Sequence, residues 1–537
     1  MKKYIKFLVG VSVITCFTAS SCKKEFFNRT PEDALTLDNF YQTAEQVRTS
    51  TNGLYTAPWF NFNNKAFWAI TELSGGNGRT YSSDVVNFGN FSVTADNTEL
   101  SNAWRSLFTV VAQSNALIIN LPLKVPASVS PAVVNNALGE AHLMRGLAYF
   151  YLVRLFGNVP IIENSADFIL NYQVNTNTVD DVYKFIINDL KFAEANCTAV
   201  IRSAPSSAQG HVSSGSATAL LAKVYLYMQD YANARTAAQK VINSGEFKLY
   251  DGVEVSGKTY DDLFRTANNN NEESIIALQW AAGASYGRGN SVQASFAFQS
   301  IITGTGDGYG VLAPSIDLQN EFKLEPGDKR LHATIMLAND KYPEINQAAG
   351  GYTVPADVNA QNSRAAIKKY VVGTPADNGG RGASQSTGMN TYLMRYADVY
   401  LIAAEAILAG GTSTTDLIAI GYVNKIRVRA GLAPIRTNGT GVLTLNEILH
   451  QRRLEFAIEG DYWFDLGRLD GYKATSHPKA IAIIANQERG TYSGDTPPVI
   501  FSEKYTPTNA NFKFPYPTTE TALNPKLLEP PVPYVFK

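Results

Sequence analysis

The chain has 537 residues and a formal net charge of −1, with 17% charged residues against 28 Tyr and 27 Phe. It is long enough to bury a large core, has no basic field to attract phosphates, and shows none of the bias of a disordered or collagen-like chain. Nucleic acid is thereby excluded as the main partner. Surface polarity must come from Asn, Thr, Ser, Gln and Tyr, which suits a neutral, hydroxyl-rich ligand better than an ionic one.

The first element is a targeting segment. Lys2 and Lys3 precede an apolar run from Phe7 to Phe17, which ends at Ala19, Ser20, Ser21 and then Cys22. The run is too short to span a bilayer. Small residues directly before a cysteine resemble a bacterial lipobox, so residues 1–21 read as a signal peptide and Cys22 as the lipidated first residue of an anchored protein. No other stretch reads as long and apolar enough to cross a membrane. Cys16 leaves with the signal and Cys22 takes lipid, so Cys197 remains alone and no intrachain disulfide is expected. Cys197 reads as a small buried hydrophobe.

Residues 22–30 form a polar tether. Residues 31–55 read as helical, with Asp38 as N-cap and Phe40, Tyr41, Val47 and Leu54 on one face. Residues 59–91 read as loops rich in Gly, Asn and aromatics. Helical patterns cover 99–120, 131–156 (Pro131 in the first turn, Gly157 as the stop) and 180–197. The stretches 216–229 and 231–243 form a helix pair. Ala219, Ala222 and Tyr225 in the first and Ala234, Ala238 and Ile242 in the second give it the small crossing residues of a tetratricopeptide hairpin. A similar pair recurs at 392–408 and 416–430, followed by a helix at 444–458. The fold class expected is therefore mainly α: a tetratricopeptide-like repeat scaffold, with repeats at about 99–245 and 390–460. Long loop and short-strand excursions, at about 59–91, 250–389 and 473–517, belong to the same single domain of residues 31–537.

Several segments in this order resemble the SusD/RagB family. They are AHLMRGLAYFYLVRLFGNVP (141–160), YLMRYADVYLIAAEA (392–406), IRVRAGL (426–432), ILHQRRLEFAIEGDYWFDLGRL (448–469), the series from Gly308 to Arg330 with Asp328, and the tail elements at 514–517 and 524–528. Gln451, Tyr462 and Asp398 depart from the family pattern at scaffold positions. The resemblance implies a non-catalytic lipoprotein of the cell surface. It would bind a nutrient, above all an oligosaccharide, and deliver it to a SusC-type TonB-dependent transporter of the outer membrane. It also implies that the helical repeats face the barrel and that outward loops build the ligand site. No cofactor and no metal are expected.

The alternative is a surface glycoside hydrolase or esterase. Glu459 and Asp465 could be a carboxylate pair, but they lie among Arg452, Arg453, Glu455, Asp461 and Arg468. Neighbouring arginines oppose the protonated acid that a glycosidase needs, so the cluster reads as a partly buried ion-pair network. GVEVSGKT (252–259) satisfies the phosphate-loop expression without the strand and helix its mechanism requires. GASYG around Ser285 satisfies the nucleophile-elbow expression, but His332, His450 and His477 have no acid at informative spacing. The five histidines form no metal-spaced pair.

The aromatic loops carry the binding reading. Sugar rings stack their C–H faces on aromatic rings, while hydroxyls need amide, carboxylate or guanidinium partners. One segment offers Trp68, Glu72, Asn77, Arg79, Tyr81 and Asp84; another offers Trp280, Tyr286, Arg288, Phe296 and Tyr309. The ligand-binding set expected is Trp68, Arg79, Tyr81, Asp84, Trp280, Tyr286 and Tyr309, with Tyr309 in a Gly-aromatic-Gly element as the principal platform. No catalytic residue is expected. For Trp280, at a strand end, core packing is the favoured reading, whereas Tyr309 and Tyr81, flanked by Gly and polar residues, read first as ligand platforms.

Overall fold

The computed structural model describes residues 40–204, 210–283 and 286–536. The signal segment, Cys22, the tether, Asp38 and Ser285 lie outside them. The first described helix, α1 (Ala44–Ser50), starts later than the spacing implied. Thr43 and Gln46 form a reciprocal capping box that closes the backbone there.

The scaffold is helical. Asn97 caps α2 (Thr98–Lys124) by accepting from two backbone amides. α3 (Pro131–Phe156) starts on its proline and ends at Gly157, whose φ of 74° few other residues adopt readily. α4 (Val179–Asn196) is capped by Thr178. The pair α5 (Ser214–Tyr227) and α6 (Tyr231–Ser244) turns tightly at Asp230, which caps α6. Ala219, Ala222, Ala234 and Ala238 are fully buried in this pair, so the two backbones approach closely. Later come α7 (Val292–Phe296), α8 (Tyr396–Leu408), α9 (Leu417–Arg429), α10 (Leu445–Phe456) and α11 (Tyr462–Arg468). Packing runs α2–α3–α4–α5–α6–α8–α9, so the two repeat blocks, separated in sequence, join in one continuous array.

α2 corrects one expectation: by length and composition it could cross a membrane. Its apolar face is spent inside the protein, however, with Leu100, Leu107, Val110 and Leu121 fully buried, while Arg105 and Gln113 lie on the exposed side.

The strands are short and come as two-stranded pairs. β1 (Gly78–Arg79) pairs with β3 (Ala313–Pro314), and β2 (Ser274–Leu278) with β4 (Thr391–Arg395). β5 (Thr491–Tyr492) pairs with β6 (Ile500–Phe501). β4 replaces the first turn expected of the helix at 392. The stretch is short and buried at every position, so periodicity does not separate strand from helix, and pairing with β2 decides it.

Beneath the loops, buried ion pairs fasten α8, α9 and α10 to the strand region. Arg395 meets Glu273 at 2.6 Å, Glu455 at 2.8 Å and Glu459 at 2.7 Å, and Arg429 meets Glu273 and Glu455 at 2.8 and 2.5 Å. Arg452 and Arg468 hold Asp465 at 2.8 and 2.9 Å.

Candidate ligand-binding face

Tyr309 is presented by two glycines. Gly308 has φ 110° and Gly310 φ 54°. A Cβ on Gly308 would lie 2.6 Å from the Gln299 carbonyl oxygen, and one on Gly310 3.0 Å from Phe298 Cα. The backbone amides of Tyr309, Gly310 and Val311 donate to carbonyls of Ala294, Ala297 and Ser295 at 2.8, 2.8 and 2.7 Å, clamping the turn onto α7. The ring projects outward, 56% exposed. It borders a groove of about 310 Å³ lined also by Phe298, Gln299, Asn359 and Gln361.

Tyr81, also 56% exposed, is tied to Gln361 of this groove's lining. Its N–H donates to Gln361 Oε1 at 2.8 Å, and Gln361 Nε2 donates to the Gly310 carbonyl at 2.6 Å. Asn362 Nδ2 donates to the Tyr81 hydroxyl at 3.1 Å. Arg79 lies in β1, opposite Ala313, with its guanidinium 4.6 Å from the centre of the Tyr81 ring. Burial would raise the Tyr81 phenol, but Arg79 and Asn362 outweigh it and hold the pKa below its ordinary value. Gln361, Asn362 and Arg364 all adopt positive φ, between 50° and 57°. Backbone strain of this kind concentrates at ligand sites.

Tyr286 and Asp84 belong to an adjoining cluster. Tyr286 is 63% exposed and packs edge-on against Phe60, its hydroxyl accepting from Asn64 at 3.3 Å. Lys65, next in the chain, pairs with Asp84, which also accepts from Ser82 at 2.6 Å. Partial burial would raise the Asp84 carboxyl, but these two partners hold it below the usual range. Asn64 and Lys65 lie on a π-helical turn, Phe62–Ala66, and a second follows at Ala69–Leu73. Such turns re-aim side chains and recur at functional sites.

The two tryptophans are not on this face. Trp68 is 3% exposed, donates to the Asn64 carbonyl at 3.0 Å and stacks edge-on against Phe296. Trp280 is 7% exposed, donates to Thr391 at 3.0 Å and meets Phe60 edge-on. Both rings support the face from within, because distant chain segments cover them. Glu72 is buried beneath as well, accepting from Asn77 at 3.1 Å, Ile458 N–H at 3.1 Å and Gly460 N–H at 2.7 Å. Burial pushes its carboxyl up to about 7 against those bonds.

The carboxylates weighed for catalysis are held in ion pairs. Burial raises the Glu455 and Asp465 carboxyls, but Arg429, Arg395 and Arg330 bring the first to about 2, and Arg452 and Arg468 hold the second below its ordinary value. Glu459 is gripped by Lys369 at 2.9 Å as well as by Arg395. At 252–259, Lys258 donates to Asn268 at 3.0 Å and Glu254 accepts from the Leu249 amide at 2.9 Å, so both charged side chains are engaged by neighbouring segments of the chain. Among the described residues no cluster of His, Cys, Asp and Glu is arranged to hold a metal.

A helical-repeat scaffold whose loops carry exposed tyrosines around a polar groove defines a class, and comparison identifies it. Residues 272–532 match the model described as the SusD family, and residues 25–226 match one described as starch-binding associating with outer membrane. A SusD-like protein of Bacteroides ovatus is 31% identical over 573 residues, covering 100% of both chains. A crystal structure with a xylogluco-oligosaccharide is 30% identical, with a TM-score of 0.79 over 91% of this chain and 99% of its own. A laminarin-binding SusD-like protein is 25% identical, with a TM-score of 0.68 over 90% and 98%. The chain belongs to the SusD/RagB family.

Proposed function

We propose that the protein is a non-catalytic glycan-binding lipoprotein of the outer-membrane surface. It captures an oligosaccharide on the loop face and passes it to a SusC-type TonB-dependent transporter. The observation that carries the glycan reading is the pair of exposed rings, Tyr309 and Tyr81, held in fixed relation by Gln361 with amide and guanidinium groups around them. Aromatic faces and planar polar groups are the complement of a sugar's C–H face and hydroxyl edge. The similar chains described as binding laminarin or carrying a xylogluco-oligosaccharide support the same class of ligand. The non-catalytic reading rests on carboxylates neutralised by arginines, because a glycosidase acid must stay protonated near neutral pH. Cys22 supplies the anchor, and the helical array, an extended repeat surface, supplies the face for the barrel.

Incubating the purified protein with xyloglucan, laminarin and starch oligosaccharides tests this reading. Binding with no product supports it; turnover of any of them would make the protein a surface hydrolase instead.

A further inference from the structure

Beyond Tyr81 the face continues into the hairpin formed by β5 and β6. Its register places Thr491 opposite Phe501. Arg489 N–H donates to the Glu503 carbonyl at 2.9 Å and Ser493 N–H to the Val499 carbonyl at 2.7 Å, so the same register extends to both sides. Thr491 and Phe501 therefore project on one face of the hairpin, as directly opposed residues do. Thr491 is buried and its side chain interacts with the Tyr81 hydroxyl. Phe501 is 59% exposed, and Val499 and Ile500 before it are exposed at 56% and 42%. Three consecutive exposed apolar residues on a strand edge are a liability that folded proteins avoid unless the residues have a use.

The hairpin is held at both ends to the parts that build the ligand face. At its root, the Arg489 guanidinium donates to the carbonyls of Leu73, Gly89 and Ser74 at 2.9, 2.8 and 2.8 Å, fixing it to the chain that leads into Arg79 and Tyr81. Near its tip, Arg364 donates to the carbonyls of Ser493 and Asp495 at 3.0 and 2.7 Å. Arg364 belongs to the same left-handed turn as Gln361 and Asn362, which grip Tyr81. One run of contacts thus leads from Tyr309 through Gln361 to Tyr81, then through Thr491 to Phe501.

We infer that the hairpin is the outer wall of the binding face and that Phe501 is a third ring platform, so the site takes an extended chain of sugars in preference to a mono- or disaccharide. This rests on the glycan reading above. A sugar seated on Tyr309 alone leaves Phe501, which lies beyond Tyr81 and Thr491, uncovered, whereas a longer chain continues onto it.

Calorimetry of wild type, Phe501→Ala, Phe501→Leu and Tyr309→Ala against laminarin- and starch-derived series from disaccharide to octasaccharide, together with xyloglucan oligosaccharides, tests the inference. Wild-type affinity should rise with chain length. Phe501→Ala should lower affinity about tenfold for the longest chain that binds and leave the shortest unchanged, the loss expected of one stacked ring. Phe501→Leu, which keeps an apolar edge for folding, should behave the same way at an unchanged melting temperature. Tyr309→Ala should weaken every length. Loss in Tyr309→Ala with none in Phe501→Ala, or an equal loss at every length in Phe501→Ala, overturns the wall and leaves the glycan reading standing. A folded wild type that binds none of the series overturns both.

Discussion

Gln361 grips Tyr81: its Oε1 accepts the Tyr81 main-chain N–H at 2.8 Å across 280 residues of sequence, while its own amide donates to the Gly310 carbonyl at 2.6 Å. One side chain thereby fixes the distance between the two exposed tyrosines. Pre-setting that distance lowers the ordering cost of binding.

Gln361→Asn separates this bridge from backbone preference. Asn tolerates the left-handed conformation at least as well as Gln, yet it is one methylene too short to hold both partners. Stability should fall by about 0.5–1.5 kcal/mol for each bond lost, and affinity should fall with it because the spacing of the two tyrosines is no longer pre-set. Calorimetry paired with a melting curve checks both.

Arg395 tests the ion-pair foundation. Arg395→Met would leave Glu273, Glu455 and Glu459 buried with one cation fewer. Removing one partner of a buried network costs about 3–5 kcal/mol. Urea denaturation should show that loss, and a variant as stable as wild type would mean that the network contributes little.

Helix α3, the Gly308–Tyr309–Gly310 turn and the two tryptophans show what the sequence could and could not reveal. α3 was legible end to end, because Pro131 and Gly157 mark its limits by local chemistry. The Gly308–Tyr309–Gly310 turn was legible for the same reason. Trp68 and Trp280 enter the expected binding set from their polar neighbours, although core packing is the favoured reading of Trp280, and Phe296, Phe60 and Thr391, each more than a hundred positions away, cover them. Gln361 and Asn362 were absent from the expected site because nothing local marks them. The only signal was Asn362 itself, a residue type that favours positive φ, and the role of both comes from contacts with Tyr81 and Gly310.

Glu72 gives a pH signature. Its pKa is raised from 4.5 to about 7 in the folded state, so between those values the native chain holds a proton that the unfolded chain has released. The stabilisation is complete below the unfolded pKa and is lost as pH rises through the folded one, a share of about 3 kcal/mol. Glu72→Gln should flatten the stability profile between about pH 4.5 and 7. An unchanged slope in chemical denaturation across that window would contradict it.

Cys22→Ala tests the anchor. The variant should fold and bind glycan as wild type does, yet lose its acyl chains and leave the outer-membrane fraction. Acylated Cys22→Ala protein in that fraction would refute the lipobox reading. Mild detergent extraction of wild type should co-purify a TonB-dependent transporter.

The most direct test of the central claim is calorimetry of Tyr309→Ala and Tyr81→Ala with whichever oligosaccharide the wild type binds best. Each substitution should weaken binding by about 1–3 kcal/mol, roughly tenfold to a hundredfold; Tyr309→Ala should do so at an unchanged melting temperature because its ring is largely exposed, whereas Tyr81→Ala also gives up the Asn362 and Arg79 contacts and should melt slightly lower. Unchanged affinity in both variants, with folding intact, would contradict the account and place the ligand elsewhere on the protein.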